Sequence, residues 1–338
     1  MKNTQNKLTK QLEFVVKVKE KIHPNKSPID EVANILNINY DAAYRRLNSK
    51  VPFTLDETVI LAKHFHISLD RFITEKDNGC FVVCENQIDI NSYTNIEVYL
   101  NGLMEQLVYL KNNPNIKLYY STGELPAFFF FRNPSLLKLR IYLWYFYFNT
   151  NKLSNFIRYE ELKINDFIID VAKETHEIYH KFEVKEMWRN SALNDLLAQL
   201  NYFLRIRLIS INEVEQIYED IREEFKWLED FLLCQIENSK SNFKLYRNEF
   251  FLNNDTLLID RNGVKLFIYL HRILKYFVVK DQKTCDENEE YFYKQLNFST
   301  EISGNNSIVR NEFFNYNYDL LTKSERLLEN YKASESYL

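Results

Sequence analysis

Residues 37–50 read NINYDAAYRRLNSK. Within them Ala42, Ala43 and Leu47 share one side of a helical wheel, while Tyr40, Asp41, Tyr44 and Arg45 fall on the other. This pattern predicts a short helix over 40–48 with a small apolar face and a face of hydrogen-bonding groups. Alanine at a crossing point lets two helices approach closely. In front of it, Asn37-Ile38-Asn39 forms a tight connection, because asparagine tolerates a left-handed backbone. One step further back, Ser27 followed by Pro28 is a helix start, a hydroxyl cap and then proline at the first helical position. Ile29, Val32, Ala33 and Leu36 line the inner face of the helix that follows.

Around this pair the periodicity extends to a five-helix unit. Leu8, Leu12, Val15, Val16 and Val18 mark a first helix. Thr54 caps a fourth, which carries Leu55, Val59, Ile60, Leu61 and Phe65, and Ser68–Ile73 forms a short fifth. Two short helices joined by a three-residue turn describe a helix-turn-helix, whose second helix lies in the DNA major groove. On that reading Asn39, Tyr40, Asp41, Tyr44, Arg45 and Asn48 face bases, with arginine suited to guanine and asparagine to adenine. Lys26, Ser27, Arg46, Ser49 and Lys50 lie where phosphates would pass.

The stretches DAAYRRL, FTLDE and LAKHFHISLD resemble the BetR-type helix-turn-helix domain, a relative of the phage-repressor and Cro fold. The resemblance covers about residues 10–75. It implies a sequence-specific DNA binder in a bacterial transcriptional regulator. Asn37 stands where that turn commonly has glycine. The segments TGELPAFFFFRNPSLLKLRIYLWYF, EMWRNSALNDLLAQLNYFL and SGNNSIVRNEFFN resemble, in this order, uncharacterised bacterial regulators with the same head. That likeness supplies no effector.

Charge agrees in sign. Residues 1–75 hold 12 Lys and Arg against 9 Asp and Glu, whereas the other 263 residues hold 31 against 38. A mildly basic head on an acidic body suits a polyanion partner for the head. Five glycines and six prolines in 338 residues argue for long helices, and no Gly-rich phosphate loop occurs. The helical patterns of the body run over about 94–112, 134–149, 160–182, 190–208, 211–238 and 306–332, with short β-prone runs from 243. The expected fold is mainly α: a helix-turn-helix bundle over 1–75, a linker with a strand over 76–92, and a regulatory or dimerisation domain over 93–338. That domain reads as α+β with a small sheet, helical over 93–240 and mixed over 241–338.

Rival signals lie in the body. HEIYH at 176–180 matches the zinc-protease pattern H-E-x-x-H, so a zinc metallohydrolase is one alternative. Its polar surroundings, KETHEIYHKFEVKE, read instead as the solvent-facing side of a helix. His64 and His66 read as structural residues of the fourth helix. The aromatic run Tyr142, Trp144, Tyr145, Phe146, Tyr147 and Phe148 reads as core before ligand pocket or dimer face. SGNNSIVRNEFF reads as a helix cap and turn before an anion seat with Arg310. Cys80, Cys84, Cys234 and Cys285 show neither disulfide nor zinc spacing and read as reduced core residues.

No catalytic set, metal site or cofactor is expected. An apolar signal core is absent from the start of the chain, and charges interrupt PAFFFFRNPSLLKLRIYLWYFYF before the roughly 18 apolar residues that a span requires. The expected setting is cytoplasmic, away from any membrane. The expected partners are double-stranded DNA and a second copy of the chain as a homodimer. An effector or protein partner is left open, as is the further alternative of an interaction scaffold whose head does not bind DNA.

Overall fold

A computed structural model of the chain describes residues 2–22, 26–65, 67, 69, 72, 83–85, 93–113, 115–148, 156–237, 242–250, 255–272 and 275–335. The chain divides into two compact units, Met1–Val82 and Val83–Leu338. Its described residues are mostly helical, with one mixed sheet.

The first unit contains α1 (Lys2–Lys21), α2 (Pro28–Leu36), α3 (Tyr40–Leu47) and α4 (Leu55–Phe65). Ser27 caps α2, accepting from the Asp30 amide, with Pro28 at the first helical position. Asn37 ends α2 at φ 53°, and the Asn37 and Ile38 amides return to the carbonyls of Asn34 and Ala33. This is the left-handed closure expected of asparagine there. Asn39 caps α3 through the Ala42 amide at 2.8 Å. Thr54 and Glu57 form a reciprocal capping box on α4.

One apolar core holds the unit together: Phe14, Val15 and Val18 of α1, Ile22 just past its end, Val32, Ala43, Leu47, and Leu61, Ala62 and Phe65 of α4. The stripe of α1 is displaced from the expected one, because Leu12 and Val16 are exposed and Phe14 and Ile22 turn inward. His64 is also exposed. His66 and most of the expected fifth helix lie outside the described residues, as do Cys80 and the expected linker except for 83–85.

The second unit is built on an eight-stranded sheet in the order β1-β7-β6-β5-β2-β3-β4-β8. The strands are β1 (Val83–Glu85), β2 (Ile116–Thr122), β3 (Glu183–Arg189), β4 (Phe243–Asn248), β5 (Asp255–Arg261), β6 (Val264–Arg272), β7 (Lys275–Val279) and β8 (Ser299–Glu301). β2, β3 and β4 are parallel, and the other pairings are antiparallel. Asn262 and Gly263, both at positive φ, turn β5 into β6, the two-residue hairpin that Asn-Gly favours.

Between the strands run α5 (Tyr93–Lys111), α6 (Pro134–Phe148), α7 (Asp166–Tyr179), α8 (Ala192–Arg205), α9 (Ile211–Glu237) and α10 (Gln282–Leu296), and α11 (Ser307–Glu335) follows β8. The expectation of an all-helical 93–240 is therefore corrected: β2 and β3 fall inside it and lie centrally in the sheet. β2 is buried at six of its seven positions, so it lacks the alternation that marks a half-exposed strand.

The aromatic run of α6 is core at Tyr142, Leu143 and Trp144, with Tyr147 exposed. The four phenylalanines 128–131 are all buried, and Phe128 stacks on Tyr179 at 3.7 Å. Asn306 caps α11 through the Ile308 and Val309 amides, while the buried Arg310 donates to the Gly304 carbonyl. Cys285 is buried, but Cys234 is exposed, against its reading as core.

Candidate nucleic-acid interface

The outward side of α3 is the candidate interface. Ala43 and Leu47 are 0% and 3% exposed, which fixes the helix's rotation about its own axis. Tyr40 and Tyr44 then stand 52% and 41% exposed, one turn apart. Asp41 and Arg45 are likewise one turn apart and exposed. Lys50, just past the helix, places Nζ 5.4 Å from the centre of the Tyr44 ring. Two tyrosines, an aspartate, an arginine and a lysine therefore lie on one face.

Two of the expected base-facing residues are engaged locally. Asn39 Oδ1 takes the Ala42 amide, and Asn48 Nδ2 donates to the Tyr44 carbonyl at 2.9 Å. Each is exposed but keeps only part of its amide available.

The expected phosphate-facing set is more divided. Lys26 is exposed, yet its ammonium bonds both oxygens of Glu31 at 3.0 and 3.1 Å. Asp30 and Glu31 also occupy the first turn of α2, where acidic groups complement the helix dipole and reduce its attraction for phosphate.

Arg46 departs from the expectation. Its Nε donates to Glu57 Oε2 at 2.7 Å and its Nη1 to the Ala42 carbonyl, so it turns toward α4. Adjacent helical residues differ by about 100° in direction, which separates it from Arg45. Burial would raise Glu57, but the bonds from Arg46 and Thr54 hold its carboxyl below the usual value. Ser49 also departs: it sits at φ 53°, and its hydroxyl oxygen is buried with no protein partner. Of the phosphate set, Lys50 alone joins the exposed face of α3.

A residue that the sequence reading passed over organises this end of α3. Gln11 of α1 donates to the carbonyls of Arg46 and Val51 at 3.2 and 2.9 Å and accepts the Phe53 amide at 3.2 Å. Its partners are 35–42 residues away in sequence, so no local pattern announces it.

The HEIYH segment is not a solvent-facing helix side. His176 is 3% exposed, and its ring meets that of His180 edge-on at 4.1 Å. Trp227 packs on both imidazoles, and Phe231 and Phe243 close over His180. Glu177 points to solvent, away from the pair. Zinc-protease chemistry needs the glutamate beside an open metal position, and here aromatic rings fill that position. Among the described residues no group of three or more His, Cys, Asp or Glu is placed to hold a metal ion.

Burial, then His180 and the Arg132 guanidinium, lower His176 to about 2; burial lowers His180 to about 4. Glu186 of β3, 2% exposed, accepts from the Tyr179 hydroxyl and the Trp188 indole at 2.6 Å each, and burial pushes its carboxyl up to about 7. These are core groups of the second unit. None of the described helices is long and apolar enough to cross a membrane.

No family model matches the chain, and neither curated proteins nor solved structures yield a match.

Proposed function

We propose that the chain is a sequence-specific, DNA-binding transcriptional regulator of the BetR-like helix-turn-helix kind, in which α3 reads the major groove. The observation that carries this reading is the split character of α3. Ala43 and Leu47 seat it on the core, and Tyr40, Asp41, Tyr44 and Arg45 project together from the opposite side. Arginine pairs two donors with guanine, aspartate accepts from the cytosine amino group, and tyrosine offers an apolar edge and a hydroxyl. Lys50 supplies the phosphate contact beside them. Asn39 and Asn48 contribute through the parts of their amides that the helix ends do not use.

The second unit is the regulatory or dimerisation body in this reading. Two heads held by a homodimer would meet half-sites about one turn of DNA apart. An effector would act through the body, and no residue identifies it.

Selection from a random duplex library, using the full chain, tests the proposal. An enriched motif is expected, and its symmetry reports the oligomer. Arg45→Ala should relax one base position at a cost of about 1–3 kcal/mol, whereas Lys50→Ala should weaken all sequences alike. Absence of both an enriched motif and duplex binding at low salt overturns the reading and favours an interaction scaffold.

A further inference from the structure

The strap from Asn48 to Thr54 joins α3 to α4 and carries Lys50. Its backbone donors can be followed one by one. The Asn48, Ser49, Lys50 and Val51 amides return to the carbonyls of Tyr44, Arg46, Arg45 and Arg45, at 3.0, 2.9, 2.8 and 3.3 Å. Pro52 has none. The Phe53 amide goes to Gln11 Oε1 and the Thr54 amide to Glu57 Oε2. Beyond Val51, therefore, two side chains from outside the strap fix its path.

Gln11 does more of this than Glu57. Its single terminal amide donates twice and accepts once, at both ends of the strap. Glutamine is the side chain that suits the task. Glutamate of equal length has no donor for the Arg46 and Val51 carbonyls, and methionine of similar length has no donor and only a weak sulfur acceptor.

We infer that Gln11 is a positioning residue for DNA binding: by pinning the 48–53 strap it holds Lys50 beside Tyr44, where the ammonium meets the phosphate backbone. The inference rests on the reading of α3 as the DNA-facing helix. Gln11 itself touches no DNA. It acts by keeping the Lys50 backbone in one place, so that the flexible side chain starts from a fixed point and loses less freedom on binding.

The test is the salt dependence of binding by the full chain to a fluorescent random-sequence duplex, followed by anisotropy. Each phosphate contact contributes about 0.9 to the slope of log affinity against log salt. Lys50→Ala should therefore flatten the slope by about one contact. Gln11→Met should flatten it by a similar amount although every lysine remains, and Gln11→Met/Lys50→Ala should be no flatter than Lys50→Ala alone. Amide exchange should be faster at Phe53 in Gln11→Met but not in Lys50→Ala, with the α4 amides unchanged in both.

A wild-type slope in Gln11→Met overturns the inference and leaves the reading of α3 intact. Additive losses in the double variant overturn it too, because Gln11 would then act elsewhere. Absence of wild-type binding at any salt overturns both together. Loss of the folded head in both Gln11→Met and Gln11→Glu, seen by circular dichroism, overturns the positioning role by making Gln11 a determinant of the fold.

Discussion

Arg46 and Glu57 meet through Nε and Oε2 at 2.7 Å, with side chains 18% and 15% exposed, and this pair joins α3 to α4. Its neighbour Arg45 points outward. The two arginines should therefore separate cleanly in experiment. Arg46→Ala leaves a half-buried carboxylate without its charged partner and should cost about 2 kcal/mol of head stability. Arg45→Ala should change stability by no more than about 0.5 kcal/mol. All three tryptophans lie after residue 140, so tryptophan fluorescence reports the body alone and circular dichroism adds the head. Equal losses in the two variants would contradict the assigned orientations.

Ser49 offers a gain in stability. It is held at φ 53°, a conformation that a side chain disfavours, and its hydroxyl oxygen is buried without a protein partner. Glycine removes both penalties at once, offset by the extra freedom of the unfolded chain. Ser49→Gly should stabilise the head by about 1 kcal/mol and leave the affinity for duplex DNA at fixed salt unchanged. A lower affinity at fixed salt would restore Ser49 as a phosphate contact, since a neutral hydroxyl releases no counterion and leaves the salt slope alone.

Which features could be read in the sequence follows from the range of the forces involved. The Ser27-Pro28 start, the left-handed Asn37 and the Thr54 cap were legible because each is decided by neighbours within four residues. The exposed face of α3 was legible because Ala43 and Leu47 set its rotation. Arg46 was not, since its direction is settled by Glu57, eleven residues on. Gln11 finds its partners in the 46–53 segment. His176 and His180 sit among polar letters, and the rings that enclose them, Trp227, Phe231 and Phe243, come from α9 and β4. β2 escaped notice because a central strand covered on both faces shows no period of two.

Glu186 should make the body less stable as pH rises toward neutrality. Burial holds its carboxyl at about 7, against an ordinary value of 4.5, although the Tyr179 and Trp188 bonds pull the other way. The folded body thus keeps a proton that the unfolded chain releases across that window. Its contribution is complete below pH 4.5 and is lost as pH rises to about 7, by up to about 3 kcal/mol in all. Glutamine reproduces the protonated form, with its oxygen accepting from Trp188 and its amide donating to the Tyr179 hydroxyl. Glu186→Gln should therefore match the wild type near pH 4.5 and exceed it by up to about 3 kcal/mol at pH 8, read from urea unfolding by tryptophan fluorescence. A constant difference across pH would show that the carboxyl is ionised throughout.

His176 and His180 act with the opposite sign. Both titrate near 6.5 when unperturbed, and in the folded body at about 2 and about 4. Below pH 6.5 the unfolded chain takes up two protons that the folded body refuses, so their contribution is present above 6.5 and is lost as pH falls. Between pH 4.5 and 6.5 Glu186 offsets one of the two. From these three groups the wild-type body should lose about 1.4 kcal/mol per pH unit on acidification through that window, the value of one proton. In Glu186→Gln the offset is gone, and the loss should double to about 2.8 kcal/mol per unit. The ordinary surface carboxylates contribute equally to both proteins and cancel in the comparison. If the two slopes coincide, Glu186 holds no proton in the folded body, because the histidines contribute equally to both proteins. Titration of His176→Phe tests the histidine by itself: a neutral buried histidine predicts a shallower acid limb, and a charged one predicts no change.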